Sequence, residues 1–107
     1  MWNLRDDDRV LSLVIPALRD AAAIGRILSG GCLVALGNRE EVDEARRALS
    51  EFDNLMFVES NGGKIPWRDA FFTKIVMPSE MNAAMFGAEI QRVLAPGGEI
   101  ISTAENA

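Results

Sequence analysis

Few side chains in this sequence could do covalent or acid–base chemistry. Histidine and tyrosine are absent, so the commonest general base and the phenolic acid are both missing. Cys32 is the single cysteine. It opens an apolar run with no clustered lysine near it to lower its pKa, and it reads as a small hydrophobe rather than a nucleophile. Asp6-Asp7-Asp8 could suggest a cation site. Three adjacent carboxylates without partner ligands read instead as a solvated approach to a strand, so no metal is expected. Asn61-Gly62-Gly63-Lys64 offers backbone amides and one ammonium, yet it lacks a Walker pattern and reads as a loop. Trp67 beside Pro66 reads as packing, and Met77, Met81 and Met85 as adaptable core filler. No base pairs with a nucleophile. No catalytic residue is expected.

These residues must be positioned by an alternation of short elements. Val10 to Ile15 is a β-branched apolar run closed by Pro16, which predicts a buried strand. Leu18, Ala21, Ile24 and Leu28 are spaced as one helical face. Ser29-Gly30-Gly31 stops that helix, since glycine accepts a left-handed C-terminal position. Cys32 to Leu36 is a second apolar run, ended by Gly37. Asn38 then caps a helix with Glu41 in the capping-box position, and Val42, Ala45, Leu49 and Phe52 form its inner stripe. Leu55 to Val58 and Phe71 to Met77 are further strands, separated by a loop that includes Ile65-Pro66-Trp67. Ser79 opens a helix with the stripe Phe86, Ile90, Val93 and Leu94. Pro96-Gly97-Gly98 turns the chain into a last strand, Glu99 to Ser102. The alternation is that of a parallel sheet covered on both faces. It predicts an α/β fold, a three-layer Rossmann-like open sheet of about five strands.

Composition bounds the rest. The chain has 107 residues, 49% hydrophobic and 25% charged, with net charge -5. One domain, residues 1–107, is expected, and a disordered chain is excluded. Arginine outnumbers lysine without forming a basic cluster, so nucleic acid is not an expected partner. No apolar stretch is long enough for a membrane span and no signal peptide is visible, so a soluble, cytoplasmic protein is expected.

Two stretches carry a resemblance to a known family. Glu89-Ile90-Gln91-Arg92-Val93-Leu94-Ala95-Pro96-Gly97-Gly98 resembles the "E-I-x-R-V-L-x-P-G-G" segment of the Rossmann-like S-adenosylmethionine-dependent methyltransferases. Ile65-Pro66-Trp67-Arg68-Asp69-Ala70-Phe71-Phe72 is similar to their "L-P-F-x-D-x-x-F-D" stretch. The resemblance runs from Arg9 to Thr103 and implies the strand order 3-2-1-4-5. It covers five of the family's seven strands, so the last two are not expected.

The family's cofactor positions carry over residue by residue. Its first strand ends in an acid followed by three alternating glycines, which let the backbone approach the cofactor. Here Ser12 stands at the acid, and Val14, Pro16 and Leu18 stand at the glycines. Those side chains are expected to fill or narrow the cofactor's space. The acid that grips the ribose is replaced by Gly37, with Asn38 the neighbouring polar substitute. Asn61, followed by Gly62, occupies the place of the acid near the adenine, and the family's "F-D" reads Phe72-Thr73. These residues together imply a degenerate site that no longer takes S-adenosylmethionine. The expectation is a non-catalytic binding or oligomerisation module, a homodimer through the fifth-strand edge or the flanking helices. The alternative is a methyltransferase that uses S-adenosylmethionine in a rebuilt pocket or one completed by a partner chain. A sensor of another small molecule is a third possibility.

Overall fold

An unbroken apolar run such as Cys32 to Leu36 is stable only where both faces of the strand are covered. In the computed structural model, which describes residues 3–60, 64–77 and 87–102, that run is β2 (Cys32–Gly37). It lies between β1 (Arg9–Ser12) and β3 (Leu55–Glu59). Beyond β1 come β4 (Phe72–Met77) and β5 (Leu94–Ser102). The order is β3-β2-β1-β4-β5 and all pairings are parallel. Leu11 sits opposite Val34 on one side and Ile75 on the other. The expected sheet and order are therefore present.

Helices α1 (Leu18–Ile27) and α2 (Arg39–Ala48) cover one face. Ala21, Ile24, Leu28, Val42, Ala45 and Leu49 pack there on Val10, Leu33, Ala35 and Phe57. The other face, Leu11, Leu13, Val34 and Leu36, lies under Ile65 and under Ile90 and Val93 of α3 (Gly87–Val93). Burying each large side chain of these two clusters contributes about 1.5–3 kcal/mol. Ser79 and Phe86 of the expected third helix lie outside the described residues. No helix among the described residues is long and apolar enough to cross a membrane.

Four local readings are corrected. The first strand ends at Ser12 rather than Ile15: Leu13 makes one more backbone bond, to the Val76 carbonyl. Val14 then turns out and is 40% exposed. Gly30 and Gly31 do not terminate α1 through a left-handed conformation, because neither has a positive φ. Gly31 is needed for space: a Cβ there would lie 2.0 Å from the Asp8 carbonyl oxygen. Pro96-Gly97-Gly98 does not precede β5 but interrupts it. Phe72 pairs with Leu94 and Lys74 with Glu99, so Ala95 to Gly98 bulge out opposite Thr73, and Gly97 adopts φ +80.

The fourth correction is Asp8, which is buried rather than solvated. Its carboxylate accepts from the Arg5 amide at 2.8 Å and the Thr73 hydroxyl at 2.8 Å, and it pairs with Lys74 at 3.5 Å. Burial alone would raise its pKa. The Arg5 and Thr73 hydrogen bonds and the Lys74 charge outweigh that and hold it below its ordinary value.

The link from β3 to β4 contains no helix among its described residues. Its residues 64–71 lie on the second face as a strap, tied to α3 by two charged side chains. Arg92 donates to the carbonyls of Ile65 at 2.7 Å and Trp67 at 2.8 Å, and to Asp69 at 2.7 Å. Glu89 is bonded to Arg92 and accepts from the Ile65 amide at 2.9 Å. The Arg92 bonds first, and the Ile65 amide second, pull the Glu89 carboxyl down from 4.5 to about 2. A depressed carboxyl stabilises the fold above its unfolded-state pKa, and that stabilisation is lost as pH falls through the folded value. This contribution is therefore complete above the ordinary value of 4.5 and decays towards about 2. Urea midpoints measured across that window are expected to fall less steeply for Glu89→Gln than for wild type. Equal slopes would contradict the assignment.

Candidate functional site

Open α/β sheets bind ligands in the crevice outside the carboxyl ends of their strands, near the point where strand order reverses. Here that point is between β1 and β4. A cavity of about 390 Å³ lies at this end of the sheet, between the β1–α1 turn and the start of α2. Ile15, Pro16, Leu18, Asn38, Glu40 and Glu44 are among its lining residues.

The local sequence shapes both walls. On one side Ser12, fully buried, donates its hydroxyl to the Val14 carbonyl at 2.5 Å. That local bond occupies the side chain at the very end of β1. Pro16 brings no amide hydrogen to the turn, and Ala17 precedes α1 without a side-chain cap. On the other side Asn38 caps α2: its carbonyl oxygen accepts from the Glu41 amide at 2.8 Å. Glu41 in return accepts from the Asn38 amide at 3.0 Å, completing the expected capping box. The Ile15 side chain lies against Gly37 at the end of β2. A Cβ at position 37 would lie 2.6 Å from Ile15 Cδ1 and 3.1 Å from Glu41 Oε1. Any side chain at the end of β2 must displace Ile15. The cavity can offer apolar contact and carboxylates, and among the described residues no lysine or arginine lines it.

The structure brings together Pro16, Leu18 and Asn38 at this cavity, with Ser12 and Gly37 just behind it. Val14 does not line it, because its side chain points to solvent. Asn61 and Gly62 lie outside the described residues. Ile15, Ala17, Glu40, Glu41 and Glu44 are lining residues that sequence reasoning did not place at a site. Ile15 had no signal beyond its place between Val14 and Pro16. The glutamates could have been found by projecting α2 from its cap.

The other chemical candidates lie elsewhere. Cys32 begins β2 at the opposite edge, where burial pushes its thiol pKa up and the Arg9 charge only partly offsets the rise. Trp67 packs on Phe71 and Phe72, with ring centres 5.7 and 6.0 Å apart. Met77 packs on the second core cluster, while Met81 and Met85 lie outside the described residues. Among the described residues no cluster of three His, Cys, Asp or Glu could hold a metal ion. A larger cavity, about 610 Å³, opens at the amino edge beside Asp8, Thr73, Lys74 and Glu99. Lys74 there already pairs with both Asp8 and Glu99.

Comparison with known proteins agrees with this geometry at the level of fold. No protein-family model matches the chain, and no curated protein matches it in sequence. Among solved structures it is similar to a SAM-dependent methyltransferase from Aquifex aeolicus, with TM-score 0.77 and 22% identity over 88% of this chain and 54% of that one. It is also similar to the YcgJ protein from Bacillus subtilis, with TM-score 0.76 and 20% identity over 94% of this chain and 45% of that one. A chain of the Haloferax volcanii complex that contains the Trm112 methyltransferase activator matches with TM-score 0.73 and 24% identity, over 94% and 46%. The fold is that of the Rossmann-like methyltransferases, and this chain spans about half the length of those structures.

Proposed function

We propose that this chain is a methyltransferase-like module that has given up S-adenosylmethionine and works by association rather than catalysis. One observation carries the reading: Ile15 lies across Gly37, where the family's resemblance places the ribose-gripping acid. Three further features support it. Ser12 spends its hydroxyl on the Val14 carbonyl, Pro16 lacks a donor, and Glu41 is engaged in the helix cap. The residues present do not fit the cofactor in the family's manner. Nuclear magnetic resonance titration tests this at residue level. Adding S-adenosylmethionine should produce no saturable shift of the Leu18, Gly37 or Asn38 amides, and a saturable shift at all three would overturn the reading.

The cavity itself favours a second reading. About 390 Å³ is enough for a small ligand, so a rebuilt pocket, or one completed by a partner chain, would show that saturable response.

For association we propose a homodimer through the outer edge of β5. Among the described residues β5 is the last strand of the sheet, next to β4. Ile100 is 41% exposed, and the Glu99 carboxylate, the charge that would repel a second copy, is paired with Lys74 at 3.4 Å. Closed twofold pairing is the commonest way such an edge is covered. Light scattering at about 100 μM, well above the micromolar Kd of an interface worth roughly -8 kcal/mol, should give a dimer that Ile100→Lys converts to monomer. A monomeric wild type would exclude it.

A further inference from the structure

The two faces of the sheet are covered in different ways. One carries two ten-residue helices. Among the described residues the other carries the strap of residues 64–71 and α3. These two pieces are joined by bonds from Ile65, Trp67, Asp69, Ala70 and Phe71 of the strap to Glu89, Arg92 and Val93 of α3. The Ile65 amide donates to Glu89, the Ala70 amide to the Arg92 carbonyl and the Phe71 amide to the Val93 carbonyl, each at 2.9 Å. Arg92 spans the gap from the other direction and reaches the Ile65 and Trp67 carbonyls and Asp69. Ala70 holds a φ of +55 at the end of the strap, a conformation that alanine adopts only under constraint. Beneath the pair, Ile65, Ile90 and Val93 are the buried side chains that seal Leu11, Leu13, Val34 and Leu36 from water.

We propose that strap and α3 form one latched flap, with Glu89 and Arg92 as the latch, and that it opens as a unit to uncover the second face of the sheet. The polar bonds sit at the flap's rim and the apolar contacts under it, so neither piece can leave without breaking the bonds to the other. Elements that share their bonds in this way open as one cooperative unit. The inference is independent of whether the cavity beside Ile15 takes a ligand.

Native-state hydrogen exchange of the full chain, read by mass spectrometry, tests it. Peptides covering 64–71 and 87–93 should exchange at matching rates, both faster than those covering β1 and β2. Arg92→Met should speed both by about tenfold or more, the loss expected for one charge-assisted bond, and leave α1 and α2 unchanged. If Arg92→Met fails to fold, Arg92→Lys, which keeps the charge without the planar fork, should speed both by a smaller but equal factor. Acceleration confined to one segment, equal acceleration in α1 and α2, or no change in either segment would overturn the proposal.

Discussion

Gly31→Ala is expected to destabilise the protein by at least about 3 kcal/mol, with a fall in melting temperature of about 12 °C or more. The new Cβ would lie 2.0 Å from the Asp8 carbonyl oxygen and within 3.0 Å of two backbone carbons of Asp7 and Asp8. Backbone cannot swing aside as a side-chain tip can. That carbonyl also accepts from the Cys32 amide at 3.1 Å, so relief of the clash separates the starts of β1 and β2. Gly30→Ala is the control. Its Cβ would come no nearer than 3.6 Å to the Asp6 carbonyl oxygen, and a shift within about 0.5 kcal/mol is expected. Thermal melts of the two variants side by side decide the point, and similar melting temperatures would contradict it.

Asp8→Ala is expected to cost about 2–3 kcal/mol, because it removes the buried carboxylate that the Arg5 amide, the Thr73 hydroxyl and Lys74 share. The Arg5 amide would lose its acceptor and the Thr73 hydroxyl its shorter one, keeping the Arg9 carbonyl at 3.3 Å, while Lys74 would keep Glu99. Asp8→Asn retains an acceptor oxygen and should cost about half as much. The Asp8 carboxyl titrates below its ordinary 3.8, so its contribution is present above that value and is lost as pH falls beneath it. Urea denaturation near neutral pH and again in acid should show the penalty of Asp8→Asn shrinking as pH drops. A penalty independent of pH would mean that the charge contributes nothing.

What the sequence made legible was what short-range patterning encodes. The apolar runs at Val10, Cys32, Leu55 and Phe72 became strands, and Asn38 with Glu41 became a capping box. What it hid depended on partners far along the chain. Asp8 looked solvated beside Asp6 and Asp7 because its acceptor role needs Thr73, which folding alone brings to it. Glu89 and Arg92 were read as part of a family-like segment, and nothing local shows that they fasten residues 65 to 69. The candidate site was half legible. Pro16, Leu18 and Asn38 could be placed from the ends of their strands, whereas Val14 points away and Ile15 points in. After Ser12, whose hydroxyl bonds to the Val14 carbonyl, Ile15 is the neighbour that lines the cavity.

The proposal that this chain no longer binds S-adenosylmethionine is tested most directly by calorimetric titration with that cofactor and its demethylated product. Neither should bind tighter than about 100 μM, which corresponds to roughly -5.5 kcal/mol. Tighter binding of either to the wild-type protein would contradict it.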